Sequence, residues 1–350
     1  MRWIRTATWL AALLALVVLG LTLVLSRDAA GTPVPPWLGT RPEVLARAGE
    51  GPAEEPYRFA VLGDAQGTDV GADLIRALGS YEPDFLILTG DVIRSGKPGY
   101  HARAARWFTE VGGLGFPVFW VPGNRDIKPG EFEVEDFEAR YGPTQWWLSH
   151  KGDLFIGLRH PDPLWDWLEP REFLRETLAA QRAGHRRVFV FTHVPPAVSE
   201  VLEFPRGGRG MLPHVSPHIV ADCEELGVDY WIAAHHHGYL RREKNGVVYL
   251  VSGGGGGSFH AGGNGAFNHG LLVESGPEGV AESLITTVGG VEGDHGPDGV
   301  LPAHVGGEDL VGLEFASDSD RAALLDRLKT DPLLRHSHRE LSPEALSRML

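Results

Sequence analysis

The strongest constraint in this sequence is an alternation. Between Tyr57 and Val288, short apolar runs are separated by segments of helical length. YRFAVLG (57–63), DFLILTG (84–90) and PVFWVPG (117–123) each end at a glycine. Asp69–Ser80 and Gly99–Val111 lie between them and space their apolar side chains at helical intervals. LFIGL (154–158), RVFVFTH (187–193) and VDYWIAAH (228–235) continue the series. NGVVYLVSG (245–253) follows an Asn-Gly turn, and GLLVE (270–274) and VAESLITTV (280–288) read as closing strands. Strand–helix alternation predicts a layered α/β domain over 57–288, with functional groups at the strand C-terminal ends.

The flanks read differently. Arg2 and Arg5 precede Ala7–Leu25, 19 residues without a charge. As a helix this stretch spans about 28 Å, close to the thickness of a bilayer core. Residues 1–28 are therefore expected to anchor the chain in a membrane. Positive-inside orientation places the remainder on the extracytoplasmic side. A cleaved signal peptide, ending near Ala29-Ala30-Gly31, is the alternative and makes the protein secreted. Residues 29–56, rich in Pro, Gly and Ala, read as a tether. Residues 289–350 read as an acidic, Gly-rich tail with short helices. From Gly276 onward there are 14 acidic and 6 basic residues. Ser317–Lys329 has the start and the leucine spacing of an amphipathic helix. A solvated appendage and a site for a protein partner are the two readings of this tail.

Composition narrows the chemistry. A formal charge of −14 lacks the basic footprint of a nucleic-acid binder. The single cysteine, Cys223, has no partner for a disulfide or a thiolate metal site. Any metal must then be held by His, Asp, Asn or Gln. Residues of those types stand at the ends of the apolar runs: Asp64, Asp91, Asn124, His193 and the pair His235/His237. Asp64 and Gln66 are two apart, as are His235 and His237, so an extended backbone puts each pair on one face, with His236 turned away. Carboxylate, amide oxygen and imidazole donors converging from several loops suit Mn, Fe or Zn. Each signal is weak alone, since a lone buried His is more often a hydrogen-bonded core residue. Their joint order is the informative feature.

GDAQ (63–66), GD (90–91), GNRD (123–126), FTHVPP (191–196) and AHHHG (234–238) resemble the five ordered motifs of the calcineurin-like metallophosphoesterase superfamily. The resemblance covers about Tyr57 to Ser258. It implies a four-layer α/β/β/α sandwich holding two divalent metal ions bridged by Asp91. By motif, one ion takes Asp64, Gln66, Asp91 and His237, and the other takes Asp91, Asn124, His193 and His235. The implied reaction is hydrolysis of a phosphate ester by a hydroxide shared between two cations, without a side-chain nucleophile. Arg125 and Asp126 are the implied catalytic positions beside the metals.

Two residues depart from the family pattern. Gln66 replaces a histidine; an amide oxygen is a poorer donor than imidazole, which predicts a weaker first site and favours Mn over Zn. Arg125 replaces the histidine thought to protonate the leaving group or to bind the transition-state oxygen. Arginine stays charged near neutrality, so its expected role is a phosphate clamp. The blander alternative is that Arg125 only pairs with Asp126 next door. His101, His150, His214, His218, His260 and His269 are candidates for a substitute proton donor. Arg206 and Arg209 are candidates for meeting an anionic head group, although solvated loop charges are the more ordinary reading. A non-catalytic binding protein on the same fold and a nuclease are the rival functions, and the acidic composition argues against the nuclease.

Overall fold

A computed structural model of the 350-residue chain describes residues 33–49, 51–159, 168–195, 216–258, 268–286 and 300–302. In chain order the elements are α1 (Pro42–Leu45), β1 (Tyr57–Leu62), α2 (Asp69–Gly79), β2 (Phe85–Leu88), α3 (Pro98–Val111), β3 (Val118–Trp120), α4 (Val134–Tyr141), β4 (Trp146–His150) and β5 (Asp153–Gly157). They continue with α5 (Leu168–Gln181), β6 (Arg187–Phe191), α6 (Ser216–Leu226), β7 (Tyr230–Ala233), β8 (Tyr239–Lys244), β9 (Val247–Ser252), β10 (His269–Gly276), β11 (Gly279–Thr286) and β12 (Val300–Pro302). The strands form two six-stranded mixed sheets, ordered β12-β11-β10-β1-β2-β3 and β4-β5-β6-β7-β9-β8.

Side-chain alternation decides the layering. In β1, Phe59 and Val61 join a core between the sheets, while Ala60 and Leu62 face the other way. Both faces are buried, which is why these runs read as almost continuously apolar. Phe59, Phe85, Phe155 and Phe189 meet between the sheets, with Phe59–Phe155 and Phe59–Phe189 edge-to-face at 5.1 Å. Leu74, Ile75 and Leu78 of α2, Phe108 of α3 and Phe137 of α4 cover the outer face of the first sheet. Leu174 and Leu178 of α5, with Ile219 and Val220 of α6, cover the second. The layers therefore run helix, sheet, sheet, helix.

Buried carboxylates join the sheets away from the parallel-strand ends, through hydroxyl bonds at one and an ion pair at the other. Asp153, fully buried, accepts from Tyr57 Oη at 2.7 Å, Ser275 Oγ at 2.6 Å and Arg186 at 3.0 and 2.9 Å. Arg241 of β8 grips Glu282 of β11 with two bonds of 2.7 and 2.9 Å. Such pairs resist separation, because removing one partner strands the other charge in the interior.

Residues 33–49 correct the expectation of a tether. Trp37, Leu38, Thr40 and Val44 are buried. Leu38 bridges Val118 in parallel register, Val118 N donates to Trp37 O at 2.7 Å, and Gly39 N donates to Val118 O at 2.9 Å. The segment straps the free edge of β3, satisfying backbone groups that an edge strand otherwise exposes. Its Pro content hides this, since three large side chains rather than a periodic pattern fix it in place. At the other end, β12 pairs with β11 inside the stretch expected to be a tail from 289. The expected anchor at 1–28 and the helix at 317–329 lie outside the described residues, as do Arg206, Arg209, His214 and His260. Among the described residues, no helix is long and apolar enough to cross a membrane.

Candidate metal centre

The site forms where parallel strands of both sheets end on the same side. Asp64 follows β1, Asp91 follows β2 and Asn124 follows β3; His193 follows β6 and His235 follows β7. The two halves touch directly. His235 N donates to Asp64 Oδ2 at 2.8 Å, and His193 Nε2 lies 3.4 Å from Asp91 Oδ1. Asp64, Asp91 and His193 bring one donor atom each to within 4.8 Å of one another, and all three are buried.

The local backbone differs from the extended geometry expected of the paired residues. Asp64, Gln66, Asp91 and His235 all have positive φ, at 59°, 49°, 49° and 65°. Non-glycine residues rarely occupy this region, and strain of this kind collects at functional sites. The surrounding hydrogen bonds hold it: Asp64 N to Gly90 O at 3.0 Å, Gln66 N to Asp91 O at 3.0 Å, and Gly257 N to Asp64 O at 2.8 Å. Left-handed turns, not strand alternation, aim these side chains inward. His236 is buried.

Tautomers provide the test of whether a cation fits. His193 Nδ1 lies 2.9 Å from the Thr89 carbonyl, which only accepts, so the ring proton sits on Nδ1. Nε2 then offers a lone pair, yet it faces Asn124 Oδ1 at 3.1 Å, His235 Nδ1 at 3.1 Å and the Asp91 carboxylate. His237 repeats the pattern: Nδ1 donates to Ser258 O, and Nε2 sits 3.2 Å from Asp64 Oδ1. Lone pairs aimed at carboxylates need a positive charge between them, and a ring N–H held by a backbone carbonyl is the usual support of a metal-binding His. Gln66 is buried, and its side-chain nitrogen has no partner among the described residues; turning the amide presents the oxygen instead. The residues fit divalent cations.

Electrostatics agree. Burial pushes the Asp91 carboxyl well above the usual carboxylate range, reinforced by the charges of Asp64 and Asp126 and opposed by Arg125. For His237, burial opposes the charged ring, but Asp64 and the Ser258 carbonyl outweigh it and raise the pKa. A bound cation relieves both strains at once, since it rewards ionised carboxylates and neutral imidazoles.

Arg125 and Asp126 part company. Arg125 N donates to Asp91 Oδ1 at 2.8 Å, and Arg125 Nε pairs with Asp91 Oδ2 at 3.0 Å. Arg125 therefore belongs to the site, and its ion partner is Asp91 rather than its neighbour. Asp126 is fully buried behind the loop, accepting from Trp120 Nε1 at 3.1 Å, Gly123 N at 2.8 Å and Ile93 N at 3.2 Å. Its carboxyl is pushed up to about 7 by burial, with those three donors pulling the other way. It shapes the 123–126 turn.

Other histidines are also placed. His101 stacks on Phe132 at 3.7 Å and bonds Asp126 O at 2.9 Å, and His150 bonds Asp84 at 2.8 Å. Sequence reasoning missed the carbonyls of Thr89 and Ser258, which orient the imidazoles, because backbone atoms leave no residue-type signature. It also missed why glycines sit here. A side chain at Gly90, whose φ is 89°, would approach His193 Nδ1 to 2.6 Å. One at Gly257 would lie 2.8 Å from His237 Cε1 and 3.0 Å from Gln66 Nε2. The run Gly253–Gly257 was the available signal.

The sequence matches the calcineurin-like phosphoesterase family over residues 57–239, and the chain belongs to that family. No curated protein matches it at the sequence level. Among solved structures, it is similar to a purple acid phosphatase from seeds of yellow lupin (Lupinus luteus). The TM-score is 0.53 at 16% identity, covering 69% of this chain and 53% of that one, so the chain spans about half that protein's length. It also resembles a dimetal phosphatase from Danio rerio (TM-score 0.49, 13% identity, 66% of this chain and 96% of that one). A third likeness is to GAP50, the anchor in the inner membrane complex of Plasmodium (TM-score 0.48, 13% identity, 77% and 95%). At such identities the likeness is one of fold.

Proposed function

We propose that this chain hydrolyses phosphate esters using two divalent cations. One is held by Asp64, Gln66, Asp91 and His237, and the other by Asp91, Asn124, His193 and His235. The observation that carries the reading is the pair of imidazoles, His193 and His237, whose Nδ1 protons are committed to carbonyls while Nε2 faces buried carboxylates. When bound, such cations polarise phosphoryl oxygens and make water a competent nucleophile at neutral pH. The chain supplies the rest. Asp64 and Asp91 neutralise positive charge, and Asn124 contributes a neutral oxygen. Arg125, 43% exposed at its side chain, stands at the rim, where it grips phosphate oxygens and stabilises developing charge. The hard amide oxygen of Gln66 favours Mn.

The setting belongs to the same proposal. The basic start and apolar stretch of residues 1–28 support an anchored, extracytoplasmic domain, or a secreted one if that segment is cleaved. The acidic tail supports a protein partner on the sequence alone. One observation favours the rival reading of a non-catalytic phosphate-binding protein: the position whose family histidine protonates the leaving group or binds the transition-state oxygen here holds an arginine paired to Asp91. Hydrolysis of aryl phosphate mono- and diesters by the full chain with Mn, run beside Asp91→Ala, separates the two. Turnover in the wild type alone is expected. A folded, Mn-loaded wild type that turns over neither ester points to the binding role.

A further inference from the structure

Asp91 is the residue on which both proposed metal sites converge, and it already has a cation. Its side chain is 3% exposed, beside the fully buried Asp64. Arg125 reaches down from the rim and takes both of its oxygens, Oδ1 through the backbone N–H at 2.8 Å and Oδ2 through Nε at 3.0 Å. Among the described residues no nearer anion competes for the guanidinium, because Asp126 spends its oxygens on Trp120, Gly123 and Ile93. Among the described residues, the far end of the guanidinium is held only by a 3.4 Å contact from Nη1 to the Arg94 carbonyl. It is thus fastened at the carboxylate and loose at the mouth.

From this arrangement we infer that Arg125 is a built-in counter-cation for Asp91, which a divalent ion must displace and which thereby sets the metal affinity of the site. The inference rests on the metal-centre reading above. A guanidinium and a divalent cation cannot share the Oδ2 lone pairs of one carboxylate without strong mutual repulsion. Binding of one therefore weakens the other by the same factor. The backbone contact to Oδ1 survives displacement, since it does not depend on the side chain. The loose outer end gives the side chain a path toward solvent, where its charge meets an anionic phosphoryl group. A neutral or titratable residue at 125 does not impose this competition. The consequence is a centre whose occupancy follows the supply of divalent ion.

The test is a calorimetric titration of the metal-stripped full chain with Mn, comparing wild type, Arg125→Gln and Arg125→Lys. Loss of the charge is expected to tighten the first Mn bound by roughly ten- to a hundredfold, within the usual span of coupled sites. Retention of the charge in Arg125→Lys is expected to leave affinity near the wild-type value. Equal or weaker binding by Arg125→Gln overturns the inference while leaving the metal centre standing. No Mn binding by any of the three overturns both. A second readout needs no variant: in the wild type, Zn titration should move the Arg125 Nε–H resonance from its ion-paired position as the metal binds. A resonance that stays put while Zn binds contradicts displacement.

Discussion

A guanidinium at position 125 keeps its proton at any physiological pH, so the leaving oxygen receives none from it. General acid catalysis is worth about 10²–10⁴-fold. Alkyl phosphates are therefore expected to turn over slower than activated aryl phosphates by about that factor, and Arg125→His to narrow the gap. Equal rates on both ester types in the wild type would remove this assignment. His101 shows the opposite use of a histidine. Burial drives its pKa down to about 3, partly opposed by its bond to the Asp126 carbonyl. The unfolded chain takes up this proton near pH 6.5 and the folded chain does not until about 3, so the His101 contribution is intact above 6.5 and is lost as pH falls. In chelator, the stability gap between wild type and His101→Phe should shrink progressively from pH 6.5 toward pH 4. A gap that stays constant across that range excludes this role. Residue type alone does not separate His101 from His193; only the FTHVPP motif around His193 does. In the fold, what distinguishes them is the neighbour, an aromatic ring at 3.7 Å for one and a carboxylate at 3.4 Å for the other.

At the scale of elements, the parallel strands were legible because burial on both faces leaves an unbroken apolar run. The runs at 57–63, 84–90 and 187–193 became β1, β2 and β6 with ends shifted by at most a few residues. β8 was not legible: YLRREK carries four charges, and its Arg241 is neutralised by Glu282, a partner 41 residues away. The strap at 33–49 was misread for the converse reason, its Pro-rich composition outweighing Trp37, Leu38 and Val44. Leu38 is fully buried against β3 and its helices, so Leu38→Ala should cost about 2–5 kcal/mol in a denaturant titration. A loss below about 0.5 kcal/mol, typical of surface positions, would mean that the segment is a tether after all.

Taken as a whole, the molecule places its two sheets so that Asp64, Asp91 and Asn124 of one meet His193, His235 and His237 of the other above the inter-sheet core. Motif order made this convergence legible, because each donor follows its own strand. The means were not legible, since four positive-φ residues and two backbone carbonyls do the aiming and neither appears as a residue pattern. The central claim is that these residues form a two-cation centre. A crystal soaked in Mn and measured at the Mn absorption edge tests it most directly. Two anomalous peaks about 3.5–4 Å apart, with Asp91 between them, are predicted. An ordered site with no anomalous density inside the ring of Asp64, Gln66, Asp91, Asn124, His193, His235 and His237, at Mn concentrations that support turnover, would contradict it.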